Sequence, residues 1–200
     1  MIVGLTGQSG AGKTTVCRVL KNDKDIAVID CDVLSKNVTM QGSEFLRQVK
    51  DIYPEAVDDK LTLDRRKMSE IVFSDKEELK KYESLIFPFI TREIVKEIHR
   101  LKDAGYDIIV LDAPTLFDAG ADKLCDTIIS ICADKEKRLE RIKKRDKLPD
   151  ELILKRFKSQ RSSEFFKENS DYFLENNGTN EELSESAQKI IMTLKENING

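Results

Sequence analysis

The chain has 200 residues, of which 40% are hydrophobic and 36% are charged, and its formal net charge is −3 at pH 7. This length suits one domain, or one domain with inserted sub-structures, with enough apolar residues for a sizeable core. The near balance of charge excludes the global basic field that nucleic-acid-binding proteins present. No apolar run approaches the ~20 residues of a membrane span, and the N-terminus lacks the basic lead of a signal peptide. We therefore expect a cytoplasmic protein that binds neither nucleic acid nor membrane.

The cysteines and the single histidine predict no metal site. The cysteines show no C-x-x-C spacing and lie in or next to apolar runs, which is typical of small core residues in a reducing compartment. His99 lies in a polar stretch, and we expect it at the surface. The four cysteines are Cys17, Cys31, Cys125 and Cys132.

The first thirty residues alternate between strand and helix patterns. An apolar strand at 1–6 is followed by a glycine-rich turn, a helical pattern at 13–22 and a second apolar strand at 26–30. This strand–helix–strand order is typical of a parallel sheet covered by helices. Three later apolar runs predict further strands that are buried on both faces. They are 106–112, 126–133 and 171–176.

About seventy residues between the second and third strands read as helical. Met68, Ile71 and Val72 have helical spacing, and Asp64 is placed to cap the N-terminus of their helix. The helical pattern then continues, with a predicted interruption at Pro88 and a predicted end near Gly105. This segment predicts a helical insertion into the sheet domain.

The segment 135–161 is strongly basic, with twelve Lys or Arg and five Asp or Glu, a local net charge of +7. It predicts two helices joined around Pro149. Such a segment is either a solvated helical face or a surface that meets phosphate. A final helix is expected at about 181–197.

A phosphate-binding motif follows the first strand. The sequence "GQSGAGKT" matches G-x-x-x-x-G-K-[ST], the P-loop, and it lies between a strand and a helix, as the mechanism requires. Glycines let backbone N–H groups surround phosphate oxygens, Lys13 reaches the β- and γ-phosphates, and the Thr14 hydroxyl binds Mg²⁺. The competing interpretation is a glycine-rich turn that caps a helix. The residues expected to contact the nucleotide are Gly7, Gln8, Ser9, Gly10, Ala11, Gly12, Lys13, Thr14 and Thr15.

Three aspartates at predicted strand ends are candidates for the same site. Asp30 and Asp32 lie at the end of the second strand, where alternation would turn both toward one crevice, and Asp112 ends the third strand. Asp32 could orient or deprotonate an attacking hydroxyl or hold Mg²⁺ through water; alternatively, it could cap a helix at 33–38. Asp112 could be a Walker B aspartate or an ordinary turn residue before Pro114. The GTPase motifs N-K-x-D and D-x-x-G are absent from the sequence.

These residues resemble the dephospho-CoA kinases, which use ATP to phosphorylate the ribose 3′-hydroxyl of dephospho-CoA. The resemblance extends over nearly the whole chain and rests on the order and spacing of several short motifs. They are "GLTGQSGAGKTTV", "IDCD", "LDRRKMSEIVF", "DAPTLFD", "RIKKRD", "SQR" and "ENNG".

The resemblance implies roles for individual residues. Asp32 would be the catalytic base, Arg145 the lid arginine that stabilises the transferring phosphate, and Arg141 a second lid cation. The helical insertion would bind the acceptor, and the basic segment would be the lid. Two stretches depart from the family pattern: Phe87-Pro88 replaces the usual His-Pro, and Pro114 begins a variant of Pro-Leu-Leu-Phe-Glu.

Candidate acceptor contacts each have a structural alternative. Arg65 could contact a substrate phosphate or be a solvated arginine in a first helical turn. Phe87 could stack on a base, although burial in the core is the more common role of an aromatic side chain. Arg141 and Arg145 lie four apart on one helical face, which in general would be solvated, but the basic segment, the P-loop and the spacing to Gln160 favour a lid. Asp112 and Pro114 complete the residues expected at the substrate.

The sequence thus predicts an α/β P-loop NTPase fold with a parallel sheet core flanked by helices. We expect a nucleotide-binding core at 1–33, 106–134 and 170–200, a helical acceptor region at 34–105 and a helical lid at 135–169. The expected reaction consumes ATP, with Mg²⁺ held by Thr14 and Asp32, and the protein would be a monomer or a small homo-oligomer. Two alternatives are a kinase for another nucleoside, nucleotide or small molecule, and a non-catalytic nucleotide-binding regulator.

Overall fold

A parallel five-stranded sheet with the order β2-β3-β1-β4-β5 forms the centre of the fold in the computed structural model, which describes residues 1–199. The strands are rich in Ile, Val and Leu, and residues 108–111 of β3 are almost fully buried. Such strands are buried on both faces, as parallel sheets covered by helices require. All five predicted strands are confirmed. They are β1 (Ile2–Gly7), β2 (Ile26–Asp30), β3 (Ile108–Asp112), β4 (Thr127–Cys132) and β5 (Tyr172–Glu175).

The strand registers bring the ends of three strands to one edge of the sheet. Strand β1 is central, and it pairs Leu5 with Asp112 of β3 and Gly7 with Ile131 of β4. In a parallel sheet, the carboxyl ends of neighbouring strands meet at a common edge, where ligands bind in folds of this kind. The loop after β1 therefore starts beside the ends of β3 and β4.

Helices connect the strands and form the insertion between β2 and β3. Short 3₁₀ turns occur at Pro54–Ala56 and Ala121–Leu124. Asp64 caps α4 through its side chain, and the basic segment divides at Pro149, both as predicted. The α-helices are α1 (Lys13–Lys21), α2 (Cys31–Val38), α3 (Glu44–Ile52), α4 (Arg65–Val72), α5 (Lys76–Asp103), α6 (Lys135–Asp146), α7 (Asp150–Lys158), α8 (Ser163–Glu168) and α9 (Asn180–Asn199).

The chain divides into two compact units, each with its own core. The nucleotide unit comprises residues 1–29 and 101–200, and the helical unit comprises residues 30–100. In the nucleotide unit, apolar residues of the strands pack with those of α1 and α9. In the helical unit, α3, α4 and the middle of α5 pack around Phe45. The predicted boundaries of an acceptor region and a separate lid stay predictions; the segment 135–169 lies within the nucleotide unit.

Helix α5 is continuous through Pro88, so the predicted interruption there is wrong. Proline lacks a backbone donor and costs ~3 kcal/mol or more inside a helix. Apolar side chains on both sides of Pro88 pack into the same core, including Ile86, Phe87 and Phe89. Ile86 is buried and the two phenylalanines are partly buried, and the free energy gained by burying this apolar surface offsets the proline.

The predictions for His99, for the end of α5 and for the cysteines as small core residues are confirmed. His99 is exposed, and α5 ends two residues before Gly105, which has φ +86°. The four cysteines are free thiols, three of them buried and Cys125 half-buried. Within residues 1–199, no helix is both long and apolar enough to cross a membrane.

Candidate nucleotide-binding site

The loop between β1 and α1 has a backbone that only glycine adopts without strain. Gly7, Gly10 and Gly12 have φ values of 143°, 80° and 109°. A Cβ at Gly7 would collide with the backbone of Ile131, and one at Gly12 would lie 2.5 Å from Nδ2 of Asn176. The glycines of the motif are therefore required both by conformation and by space.

The N-terminus of α1 is available to an anion. Gly12 occupies the N-cap position, and no side chain caps the helix. The first N–H groups of a helix have no partner within it, and the helix dipole places partial positive charge at this end. Thr14 and Thr15 lie in this first turn, with the Thr14 side chain exposed. This arrangement has the chemistry that phosphate-binding sites at helix N-termini use.

Lys13 forms an ion pair with Asp112 at the edge of the sheet. Both side chains are mostly buried, with 20% and 15% of their surfaces exposed. Burial, followed by the nearby Asp112 carboxylate, raises the pKa of the Cys17 thiol to about 11, which keeps this thiol neutral. Asp112 therefore lies beside the motif lysine, where a Walker B aspartate would be. A triphosphate would compete with Asp112 for the Lys13 ammonium group.

The turn after β3 is attached to β1. The Thr6 hydroxyl donates to the carbonyl oxygen of Pro114 at 3.2 Å, and the Ala113 N–H donates to the carbonyl oxygen of Leu5 at 3.0 Å. Pro114 thus lies close to the strand that leads into the phosphate-binding loop. These bonds fix the position of Asp112 relative to the loop.

Three successive carbonyl groups of the loop accept hydrogen bonds from side chains outside it. Arg138 donates to Ser9 at 2.9 Å, Arg141 to Gly10 at 3.5 Å and Asn176 to Ala11 at 2.7 Å. Arg141 also donates to the carbonyl oxygen of Asn176 at 3.1 Å. The loop backbone is therefore held from the side of α6 and of the turn after β5.

The sequence did not identify Arg138 and Asn176 as site residues. One signal was present for Arg138, which lies one helical turn before Arg141 and so on the same face of α6. Asn176 lies in the "ENNG" motif, but nothing local indicates that its side chain contacts a loop 165 residues away. Only the packing of β5 beside β4 brings these groups together.

Arg145 does not share the contacts of Arg141. It is exposed, and its guanidinium donates to both carboxylate oxygens of Asp146, at 2.6 and 2.9 Å. This contact, with a further one from Arg156, lowers the pKa of Asp146 below its ordinary value. The interpretation of the two arginines as one solvated face is wrong for Arg141, which is half-buried behind the loop.

In the helical unit, Asp30 and Asp32 have different roles from those that strand alternation predicts. Strand β2 ends at Asp30, and Asp32 belongs to the first turn of α2. The Asp30 carboxylate accepts the Val33 N–H at 3.0 Å and caps this helix. The alternative in which Asp32 caps the helix is therefore wrong. Both side chains are exposed.

The helical unit contains two residues that were predicted to contact the phosphoryl acceptor, Arg65 and Phe87. Arg65 begins α4, is exposed, and donates to the Thr39 hydroxyl at 3.0 Å. Phe87 is half-buried and packs against the core around Phe45. Part of the Phe87 side chain is thus buried in the core, and the rest of its surface is accessible to solvent.

The residues present suit a nucleotide-bound magnesium ion better than a metal held by protein alone. Within residues 1–199, no group of three or more His, Cys, Asp or Glu side chains could hold a metal ion. Mg²⁺ commonly binds through one or two protein oxygens, substrate phosphates and water. The Thr14 hydroxyl at the helix N-terminus and the Asp112 carboxylate are oxygens of the required kind.

The sheet and the loop define the class of protein, which is a P-loop kinase fold. A solved shikimate kinase from Acinetobacter baumannii has the same fold, with a TM-score of 0.51 over 98% of this chain and 93% of that chain at 14% identity. A protein from Thermus thermophilus, TT1252, is more similar, with a TM-score of 0.82, 30% identity and 97% coverage of both chains.

The dephospho-CoA kinase family model matches residues 1–182. A dephospho-CoA kinase of Fusobacterium nucleatum is 35% identical over 97% of this chain and 98% of its own length. The Saccharomyces cerevisiae dephospho-CoA kinase CAB5 is 32% identical over 98% of this chain and 83% of its own length. The chain therefore belongs to the dephospho-CoA kinase family, as its motifs predicted.

Proposed function

We propose that this protein transfers the γ-phosphoryl group of ATP to the ribose 3′-hydroxyl of dephospho-CoA, giving CoA and ADP. Family membership supports the reaction. The structural observation that carries it is the uncapped N-terminus of α1, with Lys13 and Asp112 paired beside it. This is the arrangement that phosphoryl transfer from a nucleoside triphosphate requires.

The nucleotide phosphates bind to residues 7–15 in this proposal. The backbone N–H groups of the loop and the dipole of α1 bind the phosphate oxygens, and Lys13 leaves Asp112 to contact the β- and γ-phosphates. The glycines support this role because Gly7, Gly10 and Gly12 have positive φ values that bend the backbone into the loop, a conformation that only glycine adopts without strain. Lys13 then offsets charge that develops on the transferred group.

The acceptor hydroxyl loses its proton to Asp32. The Asp30 side chain caps α2, and Asp32 is an exposed residue in the first turn of the same helix. A carboxylate can take the proton of a hydroxyl that lies within hydrogen-bond reach. Acceptor contacts are assigned to Arg65, Phe87, Asp112 and Pro114, with Arg65 the group suited to a substrate phosphate.

Mg²⁺ would bind through the Thr14 hydroxyl, with Asp32 acting through water. When bound, it neutralises charge on the phosphate oxygens during transfer. The Asp112 carboxylate is a second group that would hold it, once Lys13 turns to the phosphates. Each of these side chains supplies an oxygen ligand of the type that magnesium prefers.

Arg145 stabilises the transferring phosphoryl group from the proposed lid, 135–169. Its guanidinium is exposed and bound to Asp146. Phosphate oxygens can replace the carboxylate because both accept the same forked pair of N–H donors. Arg141 would act from behind the loop, since its guanidinium donates to the carbonyl oxygens of Gly10 and Asn176.

We place this activity in the cytoplasm, in a monomer or small homo-oligomer that binds no nucleic acid. The overall charge of −3 gives no general attraction for nucleic acid. Size-exclusion chromatography with light scattering would measure the oligomeric state.

Release of ADP tests the proposed reaction. The protein is incubated with Mg²⁺-ATP and either dephospho-CoA, nucleosides or nucleoside monophosphates, with Lys13→Ala as the control. We expect ADP release and a new 3′-phosphate with dephospho-CoA, and neither product with the control. Equal turnover of a nucleoside would favour the alternative kinase, and ATP binding without turnover would favour the regulator.

A further inference from the structure

Arg138 is a nearly buried cation behind the phosphate-binding loop, with 5% of its surface exposed. Its Nε donates to the carbonyl oxygen of Ser9 at 2.9 Å, and its Nη2 donates to Oε1 of Gln160 at 2.8 Å. The guanidinium lies 4.1 Å from the centre of the Phe157 ring. Helices α6 and α7 therefore hold this group in one orientation against the loop.

Gln160 completes the contacts of Ser9. Its Oε1 accepts the Ser9 N–H at 3.2 Å, and its Nε2 donates to the Ser9 hydroxyl at 3.0 Å. Arg138 and Gln160, which we call the Ser9 clamp, thus bind the N–H, the carbonyl and the hydroxyl of this one loop residue. Every polar group of Ser9 has a partner from the segment 138–160.

The clamp fixes the direction of the next N–H group in the loop. In a planar trans peptide, the carbonyl of Ser9 and the N–H of Gly10 point in opposite directions. When Arg138 holds the carbonyl outward, the Gly10 N–H points to the opposite side. Gly10 has a φ of 80° and the wide conformational freedom of glycine, so an unclamped peptide could rotate.

Arg138 lines a cavity together with Asp134, Glu164 and Glu175 but forms no direct ion pair with them. Within the described chain, residues 1–199, no carboxylate forms an ion pair with it; its contacts are a carbonyl, an amide and a ring. Burial lowers the pKa of Arg138 below its ordinary value. A buried cation with no directly paired counter-charge is unfavourable, and an anion bound to the neighbouring loop would add favourable charge.

We propose that Arg138, together with Gln160, is a positioning residue for ATP. It holds the Ser9–Gly10 peptide so that the Gly10 N–H faces the bound phosphates, and it adds positive charge behind the loop. Preorganised donors bind a ligand more tightly because binding does not have to order them, so less conformational entropy is lost. This inference rests on the proposed function, since it assumes that the loop binds ATP.

Steady-state kinetics of four variants test the inference: Arg138→Gln, Arg138→Lys, Gln160→Ala and the double variant Arg138→Gln/Gln160→Ala. Lys144→Gln is the matched control, because Lys144 is an exposed cation of the same helix. KM is measured for ATP and for dephospho-CoA, with thermal unfolding to show that each variant is folded.

We expect Arg138→Gln to raise KM for ATP at least about tenfold, the scale of one charge-assisted hydrogen bond, with KM for dephospho-CoA unchanged. Arg138→Lys should recover part of the loss because lysine keeps the charge but not the fork. Gln160→Ala should act in the same direction, and the double variant should lose less than the product of the two single losses.

Other results would overturn the inference. Equal rises in both KM values, or lower unfolding temperature with normal kinetics, would make Arg138 purely structural. A fully active Arg138→Lys variant would show that only the positive charge is needed. It would exclude positioning by the forked guanidinium group. If Arg138→Gln does not fold, the half-buried Gln160 provides the same test: normal KM for ATP in Gln160→Ala refutes the clamp. Wild-type protein that releases no ADP would instead refute the proposed function.

Discussion

The nucleotide unit and the helical unit use polar side chains in different ways. In the nucleotide unit, polar residues close to the loop are buried, with Arg138 at 5% and Asn176 at 3% exposure, and they donate to backbone carbonyls. In the helical unit, charged residues form exposed pairs along α5, such as Lys80 with Glu77. Exposed pairs of this kind add at most ~1 kcal/mol.

The core of the helical unit consists of apolar and aromatic packing. Phe45 is 1% exposed, and its ring centre lies 5.9 Å from that of Tyr82 and 5.4 Å from that of Phe89. The difference indicates that polar contacts in the nucleotide unit set the geometry of a ligand site, whereas apolar contacts in the helical unit hold helices together. Substitutions in the two units should therefore change different measured quantities.

The largest expected effect is the loss of turnover in Lys13→Ala. Lys13 contacts Asp112 and not the apolar core, so the fold should remain. Loss of the ammonium group removes charge that offsets the transferring phosphate and weakens ATP binding. ADP release and calorimetric binding of an ATP analogue measure both effects. Near-normal ATP affinity in the folded variant would contradict the nucleotide site.

Asp32→Asn should lower kcat by roughly 10²–10⁴, the range for loss of a general base, with ATP binding retained. Asp30→Asn is the matched control, because its carboxylate caps α2. We expect this control to cost stability of ~1 kcal/mol and to affect kcat far less. If the two variants lose equal activity, the aspartates act jointly. Normal turnover of Asp32→Asn would refute its role as base.

In the helical unit, we expect stability to fall before kinetics change. Phe45→Ala should reduce the free energy of unfolding by ~3–5 kcal/mol, as usual for a buried aromatic residue. Phe87→Ala should cost less because Phe87 is only half-buried, and its accessible part should raise KM for dephospho-CoA. Urea unfolding and steady-state kinetics separate the two effects. Unchanged stability and kinetics in Phe87→Ala would exclude both roles.

The smallest expected effect is that of Arg145→Lys, which should lower kcat at least about tenfold, or ~1.4 kcal/mol, with little change in ATP affinity. Lysine keeps the charge but cannot fork onto two phosphate oxygens. Limited proteolysis between residues 135 and 161 should slow when Mg²⁺-ATP and acceptor are both present. Normal turnover, with equal protection in the absence of ligand, would refute the lid.

Local patterns were sufficient for much of the fold. The five strands, the Asp64 cap, the division at Pro149 and the loop at residues 7–14 all follow from residues close in sequence. Apolar periodicity, capping and glycine spacing act over a few residues, so the sequence alone determines them. The same holds for the family, because its motifs occur in order along the chain.

Tertiary structure decided the features that depend on distant residues. Helix α5 continues through Pro88 because joint burial outweighs a local penalty, which no window of sequence reveals. The one-residue difference that makes Asp30 the cap, and places Asp32 in the helix, depends on where the paired strand ends. The contacts of Arg138, Gln160 and Asn176 with the loop span more than 120 residues. Side-chain types could be read from the chain, but their partners were set only by packing of the sheet and helices.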